Sequence, residues 1–291
     1  MEVSINIRGR LLDFGSPCVM GILNVTPDSF YSGSRAETAE AVVQRARRLL
    51  AEGANMLDLG ACSTRPNSSP VSEEEEWQRL APALEALRRA LPDAALSVDT
   101  FRASIARRSV QDFGVEIIND ISGGELDSSM FETMAELGVP YILMHGGSPA
   151  SVLPDERAMA ATIGEGSGRW EDLMIGEVAR YLSARAQLLH SLGVADVILD
   201  PGFGFGKTMA QNYALLRRLP DLMTAFPGYA LLVGLSRKRM VHSLLNITPE
   251  EALNGTTVLN TLALQGGAQL LRVHDVREAV EAVRIYMAYK S

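Results

Sequence analysis

Short apolar runs alternate with longer stretches of helical periodicity from one end of the chain to the other. Eight runs read as strands: VMGILN (19–24), MLDLG (56–60), LSVD (96–99), VEIIND (115–120), PYILMH (140–145), DVILDP (196–201), ALLVGLS (230–236) and QLLRVHD (269–275). None alternates cleanly between apolar and polar positions, as expected of parallel strands covered on both faces. Between them lie helical segments with readable ends. Segment 36–52 is amphipathic and stops at Gly53, while Ser72-Glu73-Glu74-Glu75 forms a capping box for a helix running to about Leu91, before Pro92. Further helices are expected over 102–113, 130–137, 169–192, 212–219, 249–265 and 276–289.

Repeated β–α alternation of this kind favours a closed (β/α)8 barrel, a TIM barrel, over an open doubly wound sheet. The preceding VSINIRGRLLDF reads as an N-terminal β-hairpin turning at Arg8-Gly9-Arg10, placed across the bottom of the barrel. No linker-like break interrupts the pattern, so residues 1–291 read as one domain, with the Gly/Ser/Pro-rich stretch 146–168 an insertion on a βα loop. The connection NVTPDSFYSGSR (24–35) is longer than the roughly 2–6 residues a plain strand-to-helix link needs, and its extra residues carry hydrogen-bonding groups.

Composition narrows the setting. Hydrophobic residues make up 47% of the chain and charged residues 21%, an ordinary globular profile. A net charge of −8 argues against non-specific binding to nucleic acid or to an anionic membrane. No apolar stretch approaches the roughly 18 residues of a membrane span, and MEVSINIRGR has no apolar segment of a secretory signal. Cys18 and Cys62 read as two buried free thiols. A soluble, reducing, cytoplasmic setting is the expectation.

Chemistry concentrates where the strands end. Asn24, Asp58, Asp99, Asn119, Asp120, His145, Asp200, Ser236, Arg272, His274 and Asp275 all fall at or just after the C-terminal end of a strand. In a (β/α)8 barrel those ends converge on one mouth, where active sites are built. Asp58 or Asp275 taken alone reads most simply as a helix cap or turn residue. The whole set implies a polar ligand, because buried carboxylates and amides are costly unless paired. Asp99, Asn119 and Asp200 could read the donor and acceptor edges of a heterocycle. Lys238, Arg272 and His274 suit an anion such as phosphate, the alternative for Lys238 and Arg272 being solvated surface charge.

PGFGFGKT (201–208) resembles a phosphate loop but has Pro201 where the first glycine of that motif belongs, and Lys207 where a dinucleotide fingerprint needs its third. It reads as a tight turn that lets backbone approach a flat ligand. No GxSxG occurs, and His145, His190, His242 and His274 form neither HExxH nor HxH, so a catalytic triad and a zinc site are not indicated. His190 and His242 lie in helical patterns and read as structural or exposed. A hard cation such as Mg²⁺ fits better. It needs few protein ligands when the substrate brings phosphate oxygens, and Asn24 could supply one.

The motifs MGILNVTPDSF, STRP (63–66), SVDT (97–100), IIND (117–120), LMH (143–145), DPGFGFGK (200–207), GLSRK (234–238) and RVHD (272–275) together resemble the dihydropteroate synthase family, over residues 18–290. The resemblance implies a transferase of folate biosynthesis on a (β/α)8 barrel. Members join 6-hydroxymethyl-7,8-dihydropterin pyrophosphate to p-aminobenzoate, giving 7,8-dihydropteroate and pyrophosphate. It implies that Asp99, Asn119, Asp200 and Lys238 hold the pterin and that Asn24 is the Mg²⁺ ligand. Arg272, His274, Thr64 and Asn24 would serve the pyrophosphate. Arg65, Pro66 and Ser236 would contact p-aminobenzoate, with Pro27 and Phe30 on a closing first loop. Asn24, Asp99, Lys238, Arg272 and His274 are the implied catalytic set, and a homodimer is the implied assembly.

This chain departs from the family pattern in three places. Its first loop reads SFYSGSR where SFSDGG is usual, so a second loop aspartate falls on Ser32 and only Asp28 remains. Cys62 stands where Glu is common in GGESTRP, and LMHGGSP replaces the frequent LMHMxGxP. These bear on rate and sulfonamide sensitivity. Two other readings share the fold: a pterin-binding methyltransferase serving a corrinoid protein, which does not need the lid motif, the STRP loop or the Arg272/His274 pair, and a non-catalytic pterin-binding paralogue, favoured only by Ser32.

Overall fold

The computed structural model describes residues 3–25, 35–61, 71–146, 152–163 and 169–291. Ten strands are described: β1 (Ser4–Ile7), β2 (Arg10–Asp13), β3 (Cys18–Asn24), β4 (Met56–Gly60), β5 (Leu96–Asp99), β6 (Ile117–Asp120), β7 (Tyr141–Met144), β8 (Val197–Asp200), β9 (Ala230–Val233) and β10 (Leu270–Val273). The last eight form a closed parallel barrel in the order β10-β3-β4-β5-β6-β7-β8-β9. Each expected apolar run supplies one barrel strand, and helices follow the strands around the outside. The expected (β/α)8 architecture is the one found.

Strand parity divides the core in two. Val19, Leu23, Leu57, Leu59, Val98, Leu143, Leu199 and Leu271 face outward and pack against the helices. Met20, Met56, Ile117, Ile142, Ile198, Leu232 and Leu270 face inward near the strands' starts and fill the barrel's lower half. The hairpin closes that end: Ser4 pairs with Asp13 and Ile7 with Arg10, and Ile5, Ile7 and Phe14 pack onto the inward set. Asn6 N–H donates to Asp196 at 3.0 Å and Arg8 pairs with Glu116 at 3.2 Å, tying the hairpin to two strand starts.

The helix ends follow the local chemistry. Ser72 caps Glu73–Ala90, accepting from Glu75 N–H at 3.2 Å while the Glu75 carboxylate accepts from Ser72 N–H at 2.9 Å. Gly114 ends Ala103–Phe113 at φ 60°, a left-handed conformation that glycine adopts without penalty. Three boundaries differ from expectation. Thr208 and Gln211 make a second capping box, so the helix expected over 212–219 starts earlier as Met209–Arg217, and Pro220 opens a separate helix, Leu219–Ala225. Leu253–Gln265 starts later than expected because Thr248 N–H is held by Glu251 at 2.9 Å in a preceding turn. Arg239–Leu245 and Glu156–Ile163 are short helices the periodicity did not reveal.

Candidate active site

The inward parity that fills the bottom with methionine and isoleucine fills the top with polar groups. Asp58 stands two residues beyond Met56, Asn119 two beyond Ile117, Asp200 two beyond Ile198, and Arg272 two beyond Leu270. Asn24, Asp99, Ser236 and His274 continue the same rows. Cross-strand register then aligns them, with Asn24 opposite Gly60, Gly60 opposite Asp99, and Asp99 opposite Asn119. Gly60 leaves the space between its neighbours open: a Cβ there would lie 3.6 Å from Asn24 Oδ1 and 3.7 Å from Asp99 Oδ2.

Asp58 is the hub beneath this mouth. Fully buried, its carboxylate accepts from Ser97 Oγ at 2.6 Å, Asn119 Nδ2 at 3.0 Å and Arg272 Nε at 2.6 Å. Arg272 also donates through Nη2 to Asp99 at 2.7 Å, so one guanidinium bridges two carboxylates from β4 and β5. Burial works against the Arg272 cation, but Asp58 and Asp99 outweigh it and hold the guanidinium charged. Burial pushes the Asp99 carboxyl above its ordinary range; Arg272 pulls it back, and the Asp58 charge adds to the rise. Arg272 is therefore neither a solvated surface charge nor a cation free of counter-charge. It presents to the mouth a positive group already balanced from below.

The opposite wall comes from β8 and β9. Asp200 Oδ1 accepts from Gly202 N–H at 2.7 Å, which starts the turn through PGFGFGK. That turn lies against Lys238, whose Nζ donates to the Phe203 carbonyl and sits 4.7 Å from the centre of the Phe205 ring. Lys238 Nζ and Arg272 Cβ both approach Gly234, at 3.8 and 3.9 Å from where a Cβ would stand, so the two cationic side chains share one space. Burial lowers Lys238 to about 8 and raises the Asp200 carboxyl, and each partly offsets the other. Ser236 Oγ accepts from His274 N–H at 3.2 Å and lies 3.0 Å from His274 Nδ1, which joins the ends of β9 and β10.

Asn24, Asp99, Asn119, Asp200, Ser236, Lys238, Arg272 and His274 thus meet at the C-terminal end of one barrel. Thr64, Arg65 and Pro66 lie outside the described residues, as do Pro27, Asp28, Phe30, Ser32 and Cys62. Sequence reasoning undervalues Asp58, which caps nothing and organises the network instead. Asp275, by contrast, stands where Val276–Lys290 begins, and its carboxylate pairs with Arg237 at 2.6 Å. The parity of Asp58 with Met56 is the missed signal. Lys207 reads in the sequence only as an interruption of a glycine motif, yet its Nζ lies within 3.2 Å of four acceptors from two loops. His190 is structural, its ring nitrogens meeting Val194 O at 2.8 Å and Tyr229 Oη at 2.9 Å. Cys18 is a buried thiol at the barrel's lower end, raised to about 11 by burial and by Asp13.

No cluster of three or more carboxylate, imidazole or thiol groups suited to a metal stands among the described residues. What the mouth offers is the neutral amide oxygen of Asn24. Such a donor set does not hold an ion by itself but fits a hard cation whose remaining ligands are phosphate oxygens and water.

Comparison with known proteins agrees with this geometry. A family model described as "Pterin binding enzyme" matches residues 20–274. The dihydropteroate synthase of Escherichia coli (strain K12) is 39% identical over 284 residues, spanning 97% of this chain and 94% of that protein. The Xanthomonas albilineans dihydropteroate synthase solved with 4-aminobenzoic acid superposes with a TM-score of 0.85 at 36% identity, covering 100% of this chain and 99% of that one. The Thermus thermophilus dihydropteroate synthase solved in complex with 6HMPPP superposes with a TM-score of 0.79 at 36% identity, covering 98% and 99%. With its residues meeting at one barrel mouth and relatives matching along nearly its whole length, this chain belongs to the dihydropteroate synthase family of pterin-binding enzymes.

Proposed function

We propose that this chain condenses 6-hydroxymethyl-7,8-dihydropterin pyrophosphate with p-aminobenzoate to give 7,8-dihydropteroate and pyrophosphate. The observation that carries the proposal is the convergence of Asp99, Asn119, Asp200, Lys238 and Arg272 on one space, with hydrogen-bonding groups of both polarities on its walls. Asp99, Asn119 and Asp200 read the ring edges of the pterin, and Lys238 donates to a ring acceptor from the opposite wall. Arg272 and His274, at the rim of β10, face the pyrophosphate with Thr64. Arg65, Pro66 and Ser236 receive p-aminobenzoate.

The bond between the pterin methylene and the pyrophosphate oxygen breaks with its electron pair leaving on oxygen. The amine nitrogen supplies the pair for the new C–N bond and gives up its proton to solvent. An aromatic amine is unprotonated near neutral pH, so the site must chiefly position it. Charge grows on the departing oxygens, which is where Arg272 and His274 act. Mg²⁺, held by Asn24 and the substrate's own oxygens, would add charge neutralisation there when bound. Water competes with the amine for the methylene, so the long loop after Asn24 is assigned to shield the mouth.

The protein is further proposed to work as one domain in the cytoplasm, and as a homodimer. No described helix is long and apolar enough to cross a membrane. The adjacent helices Arg239–Leu245, Leu253–Gln265 and Val276–Lys290 leave Leu244, Leu245, Val258, Leu262, Ile285 and Tyr289 exposed, apolar surface that a second copy would cover. Sedimentation of the purified protein at the monomer mass would remove that part.

The deciding experiment is incubation with Mg²⁺, the pterin pyrophosphate and labelled p-aminobenzoate. Labelled 7,8-dihydropteroate and released pyrophosphate are expected in equal amounts. Pterin binding without turnover would overturn the synthase reading in favour of a non-catalytic pterin binder.

A further inference from the structure

The turn that aims Lys238 is itself held by a second lysine. Lys207 Nζ has Gly202 O at 2.9 Å, His145 Nδ1 at 3.0 Å, His145 O at 3.1 Å and Phe205 O at 3.2 Å. Three N–H bonds therefore meet four acceptors, all from protein, and none is left for a ligand. The carbonyls of Gly202 and Phe205 bracket Phe203 and Gly204, and Phe205 N–H closes the same turn onto Gly202 O at 3.2 Å. Two groups that touch Lys238, the Phe203 carbonyl and the Phe205 ring, thus lie on backbone that Lys207 clamps.

The clamp has a physical reason. The loops after β7 and β8 are pressed so close that a Cβ on Gly202 would stand 1.7 Å from His145 O, and one on Gly146 would stand 2.7 Å from Phe205 O. Carbonyl dipoles converge at that seam and repel one another unless a donor lies between them, and Lys207 is that donor, although burial lowers its pKa to about 7 with Asp200 pulling it back. The outer side of the turn is braced independently. Asn212 Oδ1 accepts from Gly204 N–H at 2.6 Å, and its Nδ2 donates to Thr208 O at 2.7 Å. Burial and the Lys207 charge hold His145 down to about 3, so its imidazole is neutral and its Nδ1 lone pair is free to accept.

We infer that Lys207 is a positioning residue for the pterin end of the site, clamping the 201–207 turn so that Phe203 and Phe205 keep Lys238 aimed into the mouth. The inference rests on the pterin-binding reading above. Its test uses 6-hydroxymethylpterin, without pyrophosphate, as a calorimetric probe of the full-length protein and of K207M, F205L and the double variant. K207M should weaken the probe about tenfold, the effect of disturbing one charge-assisted hydrogen bond. In the F205L background, where the turn has already lost its ring contact with Lys238, the same substitution should cost less than about threefold. In turnover, K207M should raise KM for the pterin pyrophosphate with kcat kept within about threefold. A merely structural role would lower the active fraction, and so kcat, without moving KM.

Native affinity in K207M overturns the inference, and so does an equal loss in both backgrounds. If K207M does not fold, K207Q serves instead. It removes the charge and reaches one bond less far, so unchanged probe affinity in K207Q would equally overturn the inference. A wild-type protein that fails to bind the probe sinks the pterin reading and the inference with it. Wild-type binding with an indifferent Lys207 sinks the inference alone.

Discussion

Replacing Asp58 by asparagine removes one negative charge from beneath the mouth and almost nothing else. The amide has the carboxylate's shape. Its oxygen can keep the bonds from Arg272 Nε and Asn119 Nδ2, both now made to the same Asp58 Oδ2, and its NH2 then faces Ser97 Oγ. A serine hydroxyl accepts as readily as it donates, so no hydrogen bond need be lost. What is lost is half of the counter-charge on Arg272, leaving Asp99 at 2.7 Å as its remaining carboxylate. A hydrogen bond to a charged group contributes about 1.5–3 kcal/mol and a neutral one about 0.5–1.5, so the charge itself is worth about 1–2 kcal/mol here. At about 2–4 °C per kcal/mol for a chain of this size, D58N should melt roughly 2–8 °C below wild type. Asp58→Ala differs in kind. It strands the Asn119 and Arg272 donors in a buried site, and removing one partner of a buried pair costs about 3–5 kcal/mol. The order wild type, D58N, D58A in thermal denaturation is the signature of a charge hub. D58N and D58A melting together would mean that the amide is not accommodated as described. If both melt with wild type, Asp58 does not organise the network at all.

Other expectations follow from the same geometry. Asp99→Ala and Lys238→Ala should each abolish binding of 6-hydroxymethylpterin, and unchanged calorimetric affinity in either would show the pocket to be misplaced. A neutral amine donates more weakly than an ammonium, and burial lowers the pKa of Lys238 to about 8, so pterin affinity should fall as pH rises through about 8. Its effect on stability has the opposite slope. The unfolded chain holds the lysine proton up to about 10.5, so between about 8 and 10.5 the unfolded state binds more protons and native stability gains as pH rises. The melting difference between wild type and K238M should track that window and would be flat if Lys238 titrated normally. Gly202→Ala places a Cβ 1.7 Å from the His145 carbonyl at φ +72°, so it should destabilise by about 2 kcal/mol or more and weaken pterin binding; a wild-type melting curve would contradict the close approach. Chelation with EDTA should stop turnover and added Mg²⁺ restore it, with binding of the pyrophosphate-free pterin unaffected. Turnover that survives chelation would remove Mg²⁺ from the proposal.

The barrel was legible in the sequence because its strands are short apolar runs with helix signals between them, patterns confined to local windows. The mouth was legible for a related reason: polar residues at successive strand ends are rare enough together to demand a common cause. Three things were not legible, each for a stated physical reason. The helix Arg239–Leu245 is too short to establish a period. The first turn of Met209–Arg217 was hidden because its cap, Thr208, ends a glycine-rich stretch that itself reads as a turn. The pairing of the charges was hidden most deeply, since Arg272 and Asp58 lie 214 positions apart and nothing local couples them. Parity narrows that last gap. Once Met56, Ile117 and Leu270 are taken as inward, Asp58, Asn119 and Arg272 must be inward too, because side chains alternate strictly along a strand. An arginine and an aspartate pointing into one barrel at neighbouring heights have few partners but each other. The network beneath the mouth is therefore a consequence of strand register, which is why a shape-preserving change at Asp58 should be felt by Arg272 on the far side of β3.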